Sequence, residues 1–217
     1  MNKLLVSDII SINEGIYCLS CLNKDIKLKI NGEVKLYLIN ENLNKLDIDL
    51  HDDSDLNIYI YNINIENNLE VNINQNNKSK IHYHESIINK DNFKLVINNY
   101  IKGNDNESYL NIRNISKDKK SEIIINVEIA KDTINNIALE DLKGINNGGF
   151  VHIEPNIVCL SNDVVANHLT TIGGVDKNSI NYLMGKGIKE EECKKILLKS
   201  FIYSNMDDYI RKSFGGD

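Results

Sequence analysis

The sequence predicts an all-β body that gives way to a short helical end, and three features carry this reading. Apolar and polar residues alternate in segment after segment, as in Ile26-Lys-Leu28-Lys-Ile30 and Leu46-Asp-Ile48-Asp-Leu50. Such alternation sends one face of a strand to a core and the other to water. The segments recur about every ten to thirteen residues, with Asn, Asp and Gly between them. That spacing leaves no room for helical crossovers and excludes a doubly wound α/β fold. After residue 175 the apolar spacing changes to three and four, the period of a helix.

Composition narrows the class. The 217 residues suffice for one sizeable domain or a small domain of two units. The chain carries 25 Lys plus Arg against 31 Asp plus Glu, a formal net charge of -6, so bulk electrostatics do not favour a nucleic-acid backbone. It has no Trp and four Phe, so base-stacking platforms would have to come from Tyr. No apolar run approaches the ~18 residues of a membrane-crossing helix, and the opening MNKLLVSDII lacks the apolar core and cleavage site of a signal peptide. The expectation is a soluble cytoplasmic protein with no nucleic-acid or membrane partner. Cys18, Cys21, Cys159 and Cys193 are too few and too scattered for a disulfide framework. The abundant Asn has two readings, turn formation or a compositional bias of the genome without structural demand.

The elements follow in order. Leu4 to Leu22 is apolar and reads as a short helix or strand holding Cys18 and Cys21. Ile26–Ile30 is a clean strand; Asn31-Gly32 is a hairpin-type turn; Val34-Lys-Leu36-Tyr-Leu38 repeats the alternation. Strands then centre on Ile48, Ile58, Val71, Ile81 to Tyr83, Leu95, Ile112 and Ile125 to Ile129. Two architectures fit this series: an antiparallel sandwich or barrel, and a β-helix whose coils stack. In a β-helix the coil ends need covers, and the apolar N-terminal segment and the C-terminal helices are the candidates. Gly148-Gly149 breaks the pattern at a tight corner, Phe150 to Glu154 alternates again, and Pro155 marks a strand start or edge. Asp176 caps a helix that starts near Lys177, shows Ile180, Leu183 and Met184 on one face, and ends at Gly185 or Gly187. Glu190-Glu-Glu192 opens a second helix, where acid complements the dipole, with Cys193, Ile196, Leu197, Ser200 and Phe201 along one face. Asp207 to Phe214 can form a third helix, whose Tyr209, Ile210 and Phe214 are an exposed docking edge unless they pack back on the body.

The stretch 155–201 resembles the C-terminal core of the SufB/SufD family, the scaffold components of the SUF iron–sulfur cluster assembly system. The resemblance rests on Pro155, Asp163-Val164, His168, Thr171-Ile172-Gly173, Asp176, Tyr182-Leu183, Gly187-Ile188 and Glu190-Glu-Glu192, in step from the proline through both helices. The histidine brings the chain nearer the SufD side. The resemblance implies a right-handed parallel β-helix, or β-solenoid, over residues 1–174 and a helical segment over 175–217 that docks a SufC-like ABC-type ATPase. Asp176, Tyr182, Leu183, Lys186, Gly187 and Ile188 match the docking segment. It also implies a dimer with a SufB-like subunit or with a second copy, a non-enzymatic role, and a transient iron–sulfur cluster at the interface, where His168 supplies an imidazole and a partner supplies sulfur. Three positions depart from the pattern: Ala166 stands for cysteine, Leu169 for glycine and Lys186 for arginine. The last weakens any bidentate contact.

Each remaining candidate has a plain reading beside a functional one. His168 is an imidazole for iron or a polar residue at a strand end, with Asp163 the nearest acid in sequence. Cys159, inward in phase, and Cys193, on the apolar helix face, read as packing. Cys18 and Cys21 have ligand-like spacing without further ligands. His82 and His84 share a strand face, opposite Glu85, and would need His51 or His152 to complete a metal site. The run Gly144 to Gly149 lacks the ending of a phosphate loop. Two other functions are open: a β-helix carbohydrate-active enzyme using Asp47, Asp49, Asp52 or Asp53, and a purely structural adaptor without metal or cluster.

Overall fold

The computed structural model describes residues 2–6, 8–65, 67–89 and 91–214. The N-terminal segment is all strand: β1 (Asn2–Val6), β2 (Ile9–Ile12) and β3 (Gly15–Cys21). The main series runs β4 (Asp25–Ile30), β5 (Glu33–Ile39), β6 (Lys45–Leu50), β7 (Asp55–Ile65), β8 (Leu69–Gln75), β9 (Lys80–Asn89) and β10 (Phe93–Ile101). It continues through β11 (Glu107–Lys117), β12 (Lys120–Ile129), β13 (Asn136–Asn147), β14 (Phe150–Cys159) and β15 (Val164–Gly173). Three helices close the described chain: α1 (Lys177–Gly185), α2 (Glu190–Tyr203) and α3 (Asp208–Phe214).

Consecutive strands alternate between two sheets. Among the described residues, the odd-numbered strands form an eight-stranded sheet and the even-numbered ones a seven-stranded sheet, each in simple spatial order. Every strand pairs in parallel with the one two places on, so Leu56 sits beside Ile81 and Ile97 beside Ile125. The fold is a parallel β-solenoid, the architecture the family resemblance implied, and Asn31-Gly32 turns between sheets rather than within a hairpin.

The alternation predicted from sequence points inward as expected. Ile26, Leu28, Ile30, Leu46, Ile48, Leu50, Leu95, Ile97, Ile123 and Ile125 are among the buried residues of one continuous core. Because the stacking is in register, each inward position becomes a column through the coils. One column reads Tyr17, Leu36, Ile58, Tyr83, Leu110, Glu140, His168.

Asn has a structural role here. On the outer face of the seven-stranded sheet, Asn72 donates to Asp47, Asn98 to Asn72 and Asn126 to Asn98, each at 2.9 Å, and Asn156 donates to Asn126 at 3.2 Å. At one corner the backbone N–H of Asn77 donates to the Asp52 carboxylate, that of Asn104 to the Asn77 side chain, and that of Ile134 to the Asn104 side chain. The next residues, Asp53, Lys78, Asp105 and Asn135, all take positive φ, a conformation that Asn and Asp tolerate better than most. A polar side chain of each coil thus satisfies a corner donor of its neighbour, which turns of this shape otherwise leave unpaired.

The helices do not cover a coil end. α2 and α3 lie on the outer face of the eight-stranded sheet, with α1 packed on α2; that face carries apolar side chains outward: Tyr37, Tyr59, Tyr61, Ile63, Ile88 and Ile115. That face needs cover, and Leu198, Phe201, Ile202, Met206, Tyr209 and Ile210 supply it. The face of α2 expected from spacing is shifted accordingly: Leu197 and Ile196 line a groove with α1, while Ile202 and Leu198 turn to the sheet. The loop after α2 is pinned by Asn205, which donates to the backbone oxygens of Glu85 and Asn111 and bonds His84 Nδ1 at 2.9 Å. Asp207 clasps α3 to the sheet: it accepts from Tyr37 Oη at 2.5 Å, pairs with Lys35 at 2.7 Å and takes the Ile210 N–H. Tyr209, Ile210 and Phe214 therefore pack back on the body instead of forming a docking edge.

Candidate functional site

The solenoid stops at β14 and β15. Among the described residues each has one sheet neighbour, β12 and β13 respectively, as do β1 and β2 at the other end, so each leaves a backbone edge unpaired. Around these edges Phe150, Val158, Leu160, Val165, Leu169 and Ile172 are exposed, from 41 % to 61 %. His168 lies at the middle of β15 on its inward phase, exposed because no coil follows.

Its register neighbour is Glu140 on β13. Glu140 is 4 % exposed, and neither carboxylate oxygen has a hydrogen-bond partner. Burial pushes its carboxyl up to about 7, since a charge is disfavoured in a poorly solvated site. Asp163, the acid nearest in sequence, is committed elsewhere: its carboxylate accepts from the Asn135 N–H at 3.1 Å at a corner. Sequence reasoning passed over Glu140. The signal was present, because Ala138, Glu140 and Leu142 alternate and place a charge in an inward phase.

The other candidates separate. Cys159, expected to be core filler, is in register with Ile129 but exposed, because it too belongs to the terminal coil. Cys193 is buried beside the Ile188 carbonyl at 3.6 Å, as packing requires. Cys18 and Cys21 lie three apart on a strand and so face opposite ways: Cys21 packs against the core and Cys18 against the helix-covered face. They cannot share one ion, and burial together with Glu41 pushes the Cys21 thiol up to about 12. His82 stacks on Tyr109 and His84 on Tyr59, at 4.6 and 4.8 Å. His152 stands near Glu154 and His51 is exposed. Among the described residues no group of three or more His, Cys, Asp or Glu is arranged to hold a metal ion. Asp47 and Asp49 accept from Asn72 and Asn74, and Asp52 from Asn77, so these acids serve the coil ladders.

The second feature is α1 and its exit. Asp176 caps the helix, accepting from the N–H groups of Asn178 and Ser179. Gly187, at φ 89, ends it: its N–H bonds the Met184 carbonyl and the Ile188 N–H bonds the Leu183 carbonyl, the pairing that stops a helix at a left-handed glycine. The match of Leu183, Gly187 and Ile188 to the family pattern thus has a local structural reason. Tyr182 remains 66 % exposed, with the Lys186 ammonium 5.6 Å from its ring centroid. Met184 and Ile196 are also exposed, and Tyr182 and Ile196 line a groove of about 390 Å³ between α1 and α2. No described helix is long and apolar enough to cross a membrane.

The comparisons with known proteins extend the likeness well beyond the motif-bearing stretch. The family described as SUF system FeS cluster assembly, SufBD core domain, matches residues 40–201, most of the solenoid together with α1 and nearly all of α2. A search of curated proteins finds no significant match. With three-quarters of its length under the family match and the coiled parallel architecture in place, the chain belongs to the SufBD core family of the SUF iron–sulfur cluster assembly system.

Proposed function

We propose that the protein is a non-enzymatic scaffold subunit of SUF-type iron–sulfur cluster assembly, on the SufD side of the family. It pairs through the β14–β15 end of the solenoid with a SufB-like subunit or a second copy, and it docks a SufC-like ATPase through α1 and α2. The observation that carries this reading is His168 exposed at the β14–β15 end, among two unpaired strand edges and a fringe of exposed apolar side chains; the β1–β2 end has such edges without a histidine. An edge of this kind accepts another chain's strands, and such pairing would place His168 within the interface. A transient cluster there would be cargo, with one imidazole from this chain and sulfur ligands from the partner, because one histidine cannot hold a cluster. The exposed Tyr182, Met184 and Ile196 form a surface suited to the ATPase.

The test is anaerobic reconstitution with a cysteine-bearing SufB-like subunit and the ATPase, read by native mass, iron and sulfide. His168→Ala is expected to form the same assembly with reduced cluster yield; equal yield removes His168 from the role. Tyr182→Ala is expected to weaken co-elution of the ATPase and leave the solenoid pairing intact. Unchanged co-elution would move the docking surface elsewhere.

A further inference from the structure

The inward column through the eight-stranded sheet is Tyr17, Leu36, Ile58, Tyr83, Leu110, and then Glu140 and His168. Five coils place apolar or aromatic side chains at this position, and the last two place a carboxylate and an imidazole. A carboxylate at a buried position without a partner is costly, and a leucine would fit the column better. Glu140 is nonetheless there, 4 % exposed with both oxygens unpartnered.

Among its neighbours in the eight-stranded sheet, the β15 side offers the partner. On the β11 side the in-register residue is Leu110, flanked on the same face by Ser108 and Ile112. Ser108 accepts from Asn99 and makes no bond to Glu140. Along β13 the same-face neighbours are Ala138 and Leu142. On the β15 side stand Ala166, His168 and Thr170, and the Thr170 hydroxyl is also buried and unpartnered. Adjacent strands lie about 4.8 Å apart, so a modest side-chain rotation brings an imidazole nitrogen of His168 onto a Glu140 oxygen. In the structure the imidazole is exposed and makes no bond to Glu140; the same rotation closes the pair in the free chain, before any partner arrives.

We propose that Glu140 is the positioning residue of His168: its carboxylate accepts the N–H of one ring nitrogen, fixes the tautomer, and turns the other nitrogen out of the solenoid end. An acceptor behind a histidine orients the ring and raises the basicity of the outward nitrogen, and a partner covering the end would strengthen the pair by removing water. Ala166 two residues earlier leaves room on the same face. The pair stands on the coil register alone; its use at an interface rests on the function proposed above.

The experiment is nuclear magnetic resonance of the full chain with ring-labelled histidine, at one fixed pH of about 8 for all variants. The His168 signals are assigned by their loss in His168→Ala. The wild type is expected to show one dominant tautomer. Glu140→Leu, which suits the apolar column and so retains the fold, is expected to return His168 to the tautomer mixture of a free imidazole. Glu140→Gln, a neutral acceptor, is expected to lie between the two. A His168 tautomer unchanged in both variants overturns the proposal. So does an equal loss of thermal stability in Glu140→Leu and Glu140→Gln relative to the wild type, since it would make the carboxylate a fold-stabilising group. Because no partner or cluster enters the measurement, failure of the reconstitution above leaves this result untouched.

Discussion

Glu85 sits in the interior of the solenoid at 0 % exposure, held by the Tyr83 hydroxyl at 2.5 Å and the Asn62 amide at 3.2 Å. Burial raises its carboxyl from 4.5 to about 7, against the two hydrogen bonds, which favour the ionised form. In the folded chain the group therefore holds its proton over a range where the unfolded chain has released it. The native state binds more protons between about 4.5 and 7, so stability from this group is full below the lower value and is lost as pH rises through the upper one. At 1.36 kcal/mol per unit, the whole loss is on the order of 3 kcal/mol, with about 2–3 kcal/mol falling between pH 5 and 8. Glu85→Gln keeps the shape and an acceptor for Tyr83 and cannot ionise. Denaturant unfolding of both proteins at pH 5 and pH 8 reads the difference. The variant is expected to gain on the wild type by about that amount from the lower to the higher pH. A difference independent of pH would show that Glu85 is already ionised in the fold, and would refute the desolvation argument.

Three further outcomes are expected. Asn98→Ala removes two rungs of the amide ladder and should cost about 1–2 kcal/mol by denaturant melting, whereas a surface asparagine without rungs should cost little. Asp207→Ala should free α3, seen as faster amide exchange over residues 208–214 with the coil strands unchanged. Burial alone would raise the Asp207 carboxyl, but hydrogen bonds from Lys35 and Tyr37 outweigh it and hold it below 3.8. The clasp is therefore present above that value and is lost as pH falls through the folded one, opposite in sign to Glu85. Gly103→Ala would set a Cβ 2.6 Å from the Asn77 backbone nitrogen and should destabilise by about 2 kcal/mol or more in thermal unfolding.

Alternation by itself determined which residues of Ile26 to Ile129 face inward, because a strand sends successive side chains to opposite faces whatever lies beside it. Asp176 and Gly187 likewise marked the ends of α1 through bonds made within a few residues. What alternation cannot carry is which strand lies next to which, since pairing between residues about 25 to 30 apart leaves no local trace. That pairing decided the rest. It made a solenoid of strands that equally suited a sandwich, and it stacked the asparagines into ladders. It turned Cys18 and Cys21 to opposite sides and ended the coils at β15, so that Cys159 is exposed and Glu140, twenty-eight residues away in sequence, stands beside His168.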